Sequence, residues 1–242
     1  MMEKCNYWKE PHQNIDHVFR DLLPAHRMAE RPAQVELSHQ MLDTMLNNSI
    51  ALCDAGTGIG KTYAYLVAGV VFRRYRSHAG LPNQPLLIST SSIALQGAII
   101  HDYLPFLSKV MMADGLLDSP LRAVLRKGKS HYVCDARLMK RLQTANLDRK
   151  NPLAKAALFS MGDHLDLDMV PHLSGYDRER ICVPPTCDCG KTECRYLCYL
   201  DVCASERYAI QVCNHNLLLA DAIHQGSGKR PILPDSCAIV MD

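Results

Sequence analysis

Nine consecutive residues, Asp54-Ala55-Gly56-Thr57-Gly58-Ile59-Gly60-Lys61-Thr62, have the composition and spacing to hold a polyphosphate. Glycines let a backbone curl until several N–H groups point at one centre, and a helix starting at the loop's end adds its positive dipole there. Lys61 is placed to neutralise the β and γ phosphates of ATP, and the Thr62 hydroxyl to ligate magnesium. The strict form of this loop opens on glycine, where Ala55 stands here. A glycine-rich turn with an unrelated lysine is the bland reading. The order strand, loop, helix argues against it.

The second concentration of chemistry is thiol. Seven of the eleven cysteines fall between Cys182 and Cys213. The opening residues, Met1 to Glu10, contain no apolar signal core, so the thiols read as reduced metal ligands and not as a disulfide framework. Cys182, Cys187, Cys189, Cys194, Cys198 and Cys203 offer more thiolates than one centre needs. Thiolates suit both zinc and iron–sulfur centres. A zinc site from Cys187, Cys189, Cys194 and Cys198 would be local and need no distant partner. Cys53, Cys213 and Cys237 sit in apolar runs and read as small buried hydrophobes.

Elements must position these groups. Residues 13–29 read as an amphipathic helix ending near Pro24, and 34–47 as a second helix whose stripe is Val35, Leu37, Met41, Leu42 and Met45. Residues 49–53 form a short apolar run, read as a buried strand before the phosphate loop. A helix is expected over about 60–76, a strand over 86–90, and a helix from about Ser92, capped by Ser91 or Ser92. This alternation implies a parallel sheet covered by helices. From about 112 to 208 strand signals fade, with helices expected over 138–145 and 153–161. Strands return at 208–213 and 238–241.

Net charge is +2 and the pI about 8.0, which neither requires nor excludes a nucleic-acid partner. No run of about 18 apolar residues is present, so no membrane-spanning helix and a cytoplasmic location are expected. Arg122, Arg126, Lys127 and Lys129 are candidates for phosphate contacts. His164 with Asp163, Asp166 and Asp168 reads as a solvated loop in preference to a metal group, and His215 as a local hydrogen-bonding residue.

Five ordered segments resemble the DinG-type and XPD-type DNA helicases of the second helicase superfamily. They are Arg31-Pro32-Ala33-Gln34, the phosphate loop, Ile88 to Gln96, Lys127 to Cys134, and Val212 to Asp221. The resemblance implies a RecA-like α/β motor whose parallel sheet is interrupted by a largely helical, cysteine-rich insertion. The divisions are 1–30, an N-terminal helical segment; 31–112, the first part of the motor; 113–207, the insertion; and 208–242, the return to the motor. Arg31 and Gln34 would contact adenine, and residues 55–62 the phosphates. Thr90, Ser91 and Gln96, with Lys127 and Lys129, would contact nucleic acid. Cys134, Cys189, Cys194 and Cys198 would hold a four-iron, four-sulfur cluster, with Cys187 or Cys203 as alternatives to Cys189.

Residues 237–242 are similar to the strand entering that family's Asp-Glu-Ala-His box. Asp242 would then be a magnesium ligand, and the chain an N-terminal part of a longer motor. The implied activity is ATP-driven movement along single-stranded or forked DNA in the 5′ to 3′ direction, by a monomer, with RNA–DNA hybrids as a further substrate. Two rivals remain. One is an ATP-binding nucleic-acid module without turnover, and the other a P-loop ATPase or kinase with a zinc insertion.

Overall fold

The computed structural model describes residues 9–145, 152–187, 194–229 and 231–242. In chain order the helices are α1 (Lys9–His17), α2 (Pro32–Leu46), α3 (Lys61–His78), α4 (Ile93–Ala98), α5 (Leu104–Ala113), α6 (Asp135–Ala145), α7 (Pro152–Ser160), α8 (Gly175–Ile181), α9 (Arg195–Ala204) and α10 (His215–Gly226). The strands are β1 (Leu86–Ser89), β2 (Ala123–Leu125), β3 (Ile210–Cys213) and β4 (Ala238–Met241). Residues 1–126 with 206–242 form one compact unit and 127–205 another.

The first unit is α/β. Its four strands are all parallel in the order β2-β3-β1-β4. Central β1 is buried along its whole length, as a strand covered on both faces must be. Helix α3 is buried continuously from Ala64 to Phe72, so it runs through the core and not along its rim. It approaches β1 at Gly69, where an added Cβ would lie 2.4 Å from Leu86 Cδ2. Ile15, Val18, Phe19 and Leu23 recur at helical spacing and bury the α1 segment against this core. In α2, Val35, Leu37 and Leu42 are buried, while Met41 and Met45 pack at its margin.

One expected strand is absent. Residues 49–53 carry no strand assignment, and Ile50 and Leu52 are 95% and 99% exposed. An apolar run becomes a strand only when a neighbour takes its backbone hydrogen bonds. Edge strand β4 pairs with β1, and residues 49–53 pair with no strand among the described residues. Conversely, β2 lies where strand signals faded in the sequence. It is three residues long, too short for a period-2 pattern to register.

The second unit is helical. Helices α6 and α7 coincide within three residues with the two expected there, and Val133, Leu138, Ala157, Leu158, Met161, Leu167, Val170 and Ile181 form its core. Isolated bridges join Tyr132 to Asp166 and Val133 to Cys182.

Candidate nucleotide and metal sites

Loop 54–60 ends on Gly60, which caps α3 in the left-handed region at φ 92°. Two side chains of the α2 segment brace it. The Gln34 amide donates to the Gly60 carbonyl at 2.7 Å, and the Arg31 guanidinium to the Gly58 carbonyl at 2.7 Å. The positive φ favours glycine at this position, and a Cβ there would push the Gln34 amide off the Gly60 carbonyl. Arg31 and Gln34 thus sit at the loop, each hydrogen-bonded to its backbone. The Lys61 ammonium folds over the loop and donates to the carbonyls of Ala55 (3.0 Å) and Gly56 (3.4 Å). It stands where an anion entering the loop would displace those carbonyls.

Thr62 and Asp242 meet around a residue that sequence reading missed. The Tyr65 hydroxyl donates to Asp242 Oδ2 at 3.3 Å. Burial pushes the Tyr65 pKa up, and the Thr62 side chain, close to the same hydroxyl, offsets part of that rise. Tyr65 is 1% exposed and lies one helical turn after Thr62, a spacing that was available as a signal. Asp242 is held at β4's end by its N–H, which donates to the Ser89 carbonyl at 2.9 Å.

The groups read as nucleic-acid contacts fall into two sets. Thr90 and Gln96 are buried, and the Gln96 amide donates to the Thr90 carbonyl at 2.8 Å. Ser91 is exposed beside them, and Ser92 is the cap of α4. In the second unit, the Lys127 ammonium is held by Asp166 (2.6 Å) and Asp168 (2.9 Å), with Arg178 and His131 also on Asp168. Lys129 donates to the Pro185 carbonyl. Arg126 is buried, donating to Gln211 Oε1 and the Ile232 carbonyl. His215 Nδ1 and Ser89 Oγ are hydrogen-bonded at 2.7 Å, which ties the start of α10 to the end of β1.

A cavity of about 450 Å³ in the second unit is lined by Cys134, Cys187 and Cys194, together with Lys129, Met139 and Tyr196. Cys134 immediately precedes α6, and Cys194 is the N-cap of α9. Helix N-termini favour negative charge, so two of the three thiols stand where an anionic centre is stabilised. Cys198 is exposed one turn beyond Cys194. Cys189 lies outside the described residues. Among those described, no three metal-ligating side chains are drawn into coordinating geometry, and no disulfide forms. Behind Cys134, the Tyr132 and Tyr199 hydroxyls lie 3.0 Å apart, with Tyr196 against the same ring. Burial drives the Tyr199 pKa far up, so that hydroxyl stays neutral.

No family model matches the chain. It is 26% identical over 230 residues, 88% of its length, to the ATP-dependent DNA helicase YoaA of Haemophilus influenzae, of which it spans 32%. It is 32% identical over 114 residues, 47% of its length, to the 3′-5′ exonuclease DinG of Bacillus subtilis, spanning 11% of that protein. To the probable ATP-dependent helicase YpvA of Bacillus subtilis it is 23% identical over 254 aligned positions, covering 98% of the chain and 38% of that protein. The chain therefore spans well under half the length of the curated relatives it matches.

Proposed function

Starting from this kinship with DinG-type helicases, we propose that the chain is the ATP-binding part of a RecA-like DNA helicase motor. The observation that carries this reading is the meeting of Thr62 and Asp242 at Tyr65, which lies 177 residues before Asp242. A loop that binds phosphate and a carboxylate at a strand end are the two halves of a magnesium–ATP site.

When ATP binds, Lys61 leaves the carbonyls of Ala55 and Gly56 for the β and γ phosphates, and residues 55–60 wrap the phosphate oxygens. Arg31 and Gln34 hold the loop's shape and reach toward adenine. Thr62 and Asp242 hold magnesium, which supplies charge neutralisation at the γ phosphate. The motor moves 5′ to 3′ along single-stranded or forked DNA as a cytoplasmic monomer, with RNA–DNA hybrids as a further substrate. Ser91, exposed two residues beyond β1, contacts the nucleic acid's backbone, with Thr90 and Gln96 fixing that turn.

The second unit, residues 127–205, is the body of the metal-bearing insertion, whose sequence bounds of 113–207 also take in β2 of the first unit's sheet. Cys134, Cys194 and Cys198 hold a four-iron, four-sulfur cluster, with Cys189 or Cys187 as the fourth ligand. The cluster's contribution is to clamp distant segments of the unit together. The thiols lining one cavity at two helix N-termini fit such an anionic centre.

ATP hydrolysis by the intact protein tests the reading. Single-stranded DNA is expected to stimulate it, and Lys61→Ala to abolish it. Hydrolysis indifferent to DNA would transfer the chain to the metabolic ATPases, and binding without turnover would make it a nucleotide-gated binding module.

A further inference from the structure

The charge of Lys127 is neutralised by Asp166 and Asp168, so a strand that touches this unit draws on other cations. The α6–α8 face offers them. Tyr176, on α8, is 56% exposed. The Arg180 guanidinium stacks over its ring at 3.7 Å from the centroid, and that of Arg141, on α6, lies 5.3 Å away. Such cation–ring pairs occur about once per 70–80 residues, so two converging on one exposed ring point to a built feature.

The feature is also fixed from below. Arg141 Nε donates to Asp177 Oδ1 at 2.6 Å, and the Ser174 hydroxyl that caps α8 donates to Asp177 Oδ2 at 2.7 Å. Asp177 is buried and its charge is answered by Arg141. Among the described residues the surrounding cations are not answered by carboxylates. Arg137 donates to the carbonyls of Cys182 and Glu179, and neither Arg137, Lys140 nor Arg180 has a carboxylate partner among the described residues. Lys140 is exposed one turn from Arg137 and Thr144 on α6. Against these three charges the same face sets the exposed Glu179 alone on α8.

We infer that this face binds single-stranded nucleic acid, the Arg180–Tyr176 stack carrying an unstacked base and Lys140 an adjacent phosphate. A flat π surface beside uncompensated cations is what a strand with both free bases and phosphates requires. An acidic peptide would use the cations but not the ring. The inference rests on the helicase reading and names where the second unit would touch its strand.

The test is fluorescence anisotropy of the full chain with labelled oligothymidylate, alongside binding of a fluorescent ATP analogue. Tyr176→Ala should weaken oligothymidylate binding about tenfold, while Tyr176→Phe should keep it. Lys140→Ala with Arg180→Ala should weaken it further and flatten the salt dependence by about 0.7 in log–log slope, the share of the one phosphate contact assigned to Lys140. Nucleotide binding should stay unchanged in all three. If the parent chain binds oligothymidylate and the variants bind equally well, this surface is wrong and the helicase reading stands. If the parent binds nucleotide but no oligothymidylate, both fall. If the variants lose binding to polyglutamate and keep oligothymidylate, the face serves an acidic protein and the inference is overturned.

Discussion

The glycine-rich loop and the cysteine cavity, both proposed to receive negative charge, are assembled by opposite means. In the proposed reading the loop's receiving groups are its backbone N–H atoms and one lysine within nine residues, and Gln34 and Arg31 of the neighbouring helical segment brace it. The cavity's groups are side chains from three separate segments, at 134, 187 and 194. A site made of backbone exists once its turn is made. A site made of distant side chains needs its bound centre to hold those segments together, because metal-binding energy is then folding energy.

Cys134→Ser should break that symmetry most strongly. Anaerobically purified variant protein is expected to lose its bound iron and visible absorption, and to expose the second unit to protease. Its affinity for a fluorescent ATP analogue should stay within about twofold, since no loop group is touched. Equal iron in variant and parent would remove Cys134 from the ligand set. One zinc independent of Cys134 would favour the local site.

The same contrast governs what could be read from sequence. The loop, its helix and the Ser92 cap are local features, carried by residues a few positions apart, and they stand where the residues placed them. Residues 49–53 and 86–89 were equally apolar as strings, yet only the second is a strand. Leu86 and Ile88 are fully buried, each contributing about 1.5–3 kcal/mol, whereas Ile50 and Leu52 contribute none. Pairing partners decide this, and the run does not name them. In the cysteine region the helices α6 and α7 were legible from periodicity. That Cys187 lines the cavity while Cys198, exposed as Cys187 is, does not line it was not legible, because the choice depends on contacts across dozens of residues. The acids at 166 and 168, read as solvated, are instead the partners of Lys127.

Tyr65→Phe should sharpen the first half of the comparison with a smaller effect. Removing a hydroxyl that donates to a carboxylate costs about 1.5–3 kcal/mol at most, and less where the acceptor is exposed, as Asp242 is. Magnesium-dependent binding of the ATP analogue should weaken several-fold, while binding measured without magnesium should not change. An unaltered magnesium titration would reduce Tyr65 to a packing residue.

The smallest effects should separate the two units by the sign of their pH dependence. Burial pushes the Asp168 carboxyl up, but hydrogen bonds from Lys127, Arg178 and His131 outweigh it and hold its pKa well below the ordinary 3.8. A depressed folded value stabilises the second unit above that ordinary pKa, and the contribution is lost as pH falls below it. In the first unit, hydrogen bonds to Asp21 and Asp114 raise the His17 pKa above 6.5 against desolvation. A raised value stabilises below pH 6.5 and is lost as pH rises through the folded pKa. Both groups are 39% exposed, so solvent screening leaves each pair at about 1 kcal/mol or less. Hydrogen exchange resolved by segment should therefore show 127–205 loosening on acidification from about pH 5 to about pH 2. The α1 segment should loosen in the other direction, above neutrality. Asp168→Asn should remove much of the first dependence and none of the second, and a variant that shifted both would show the two units do not melt separately.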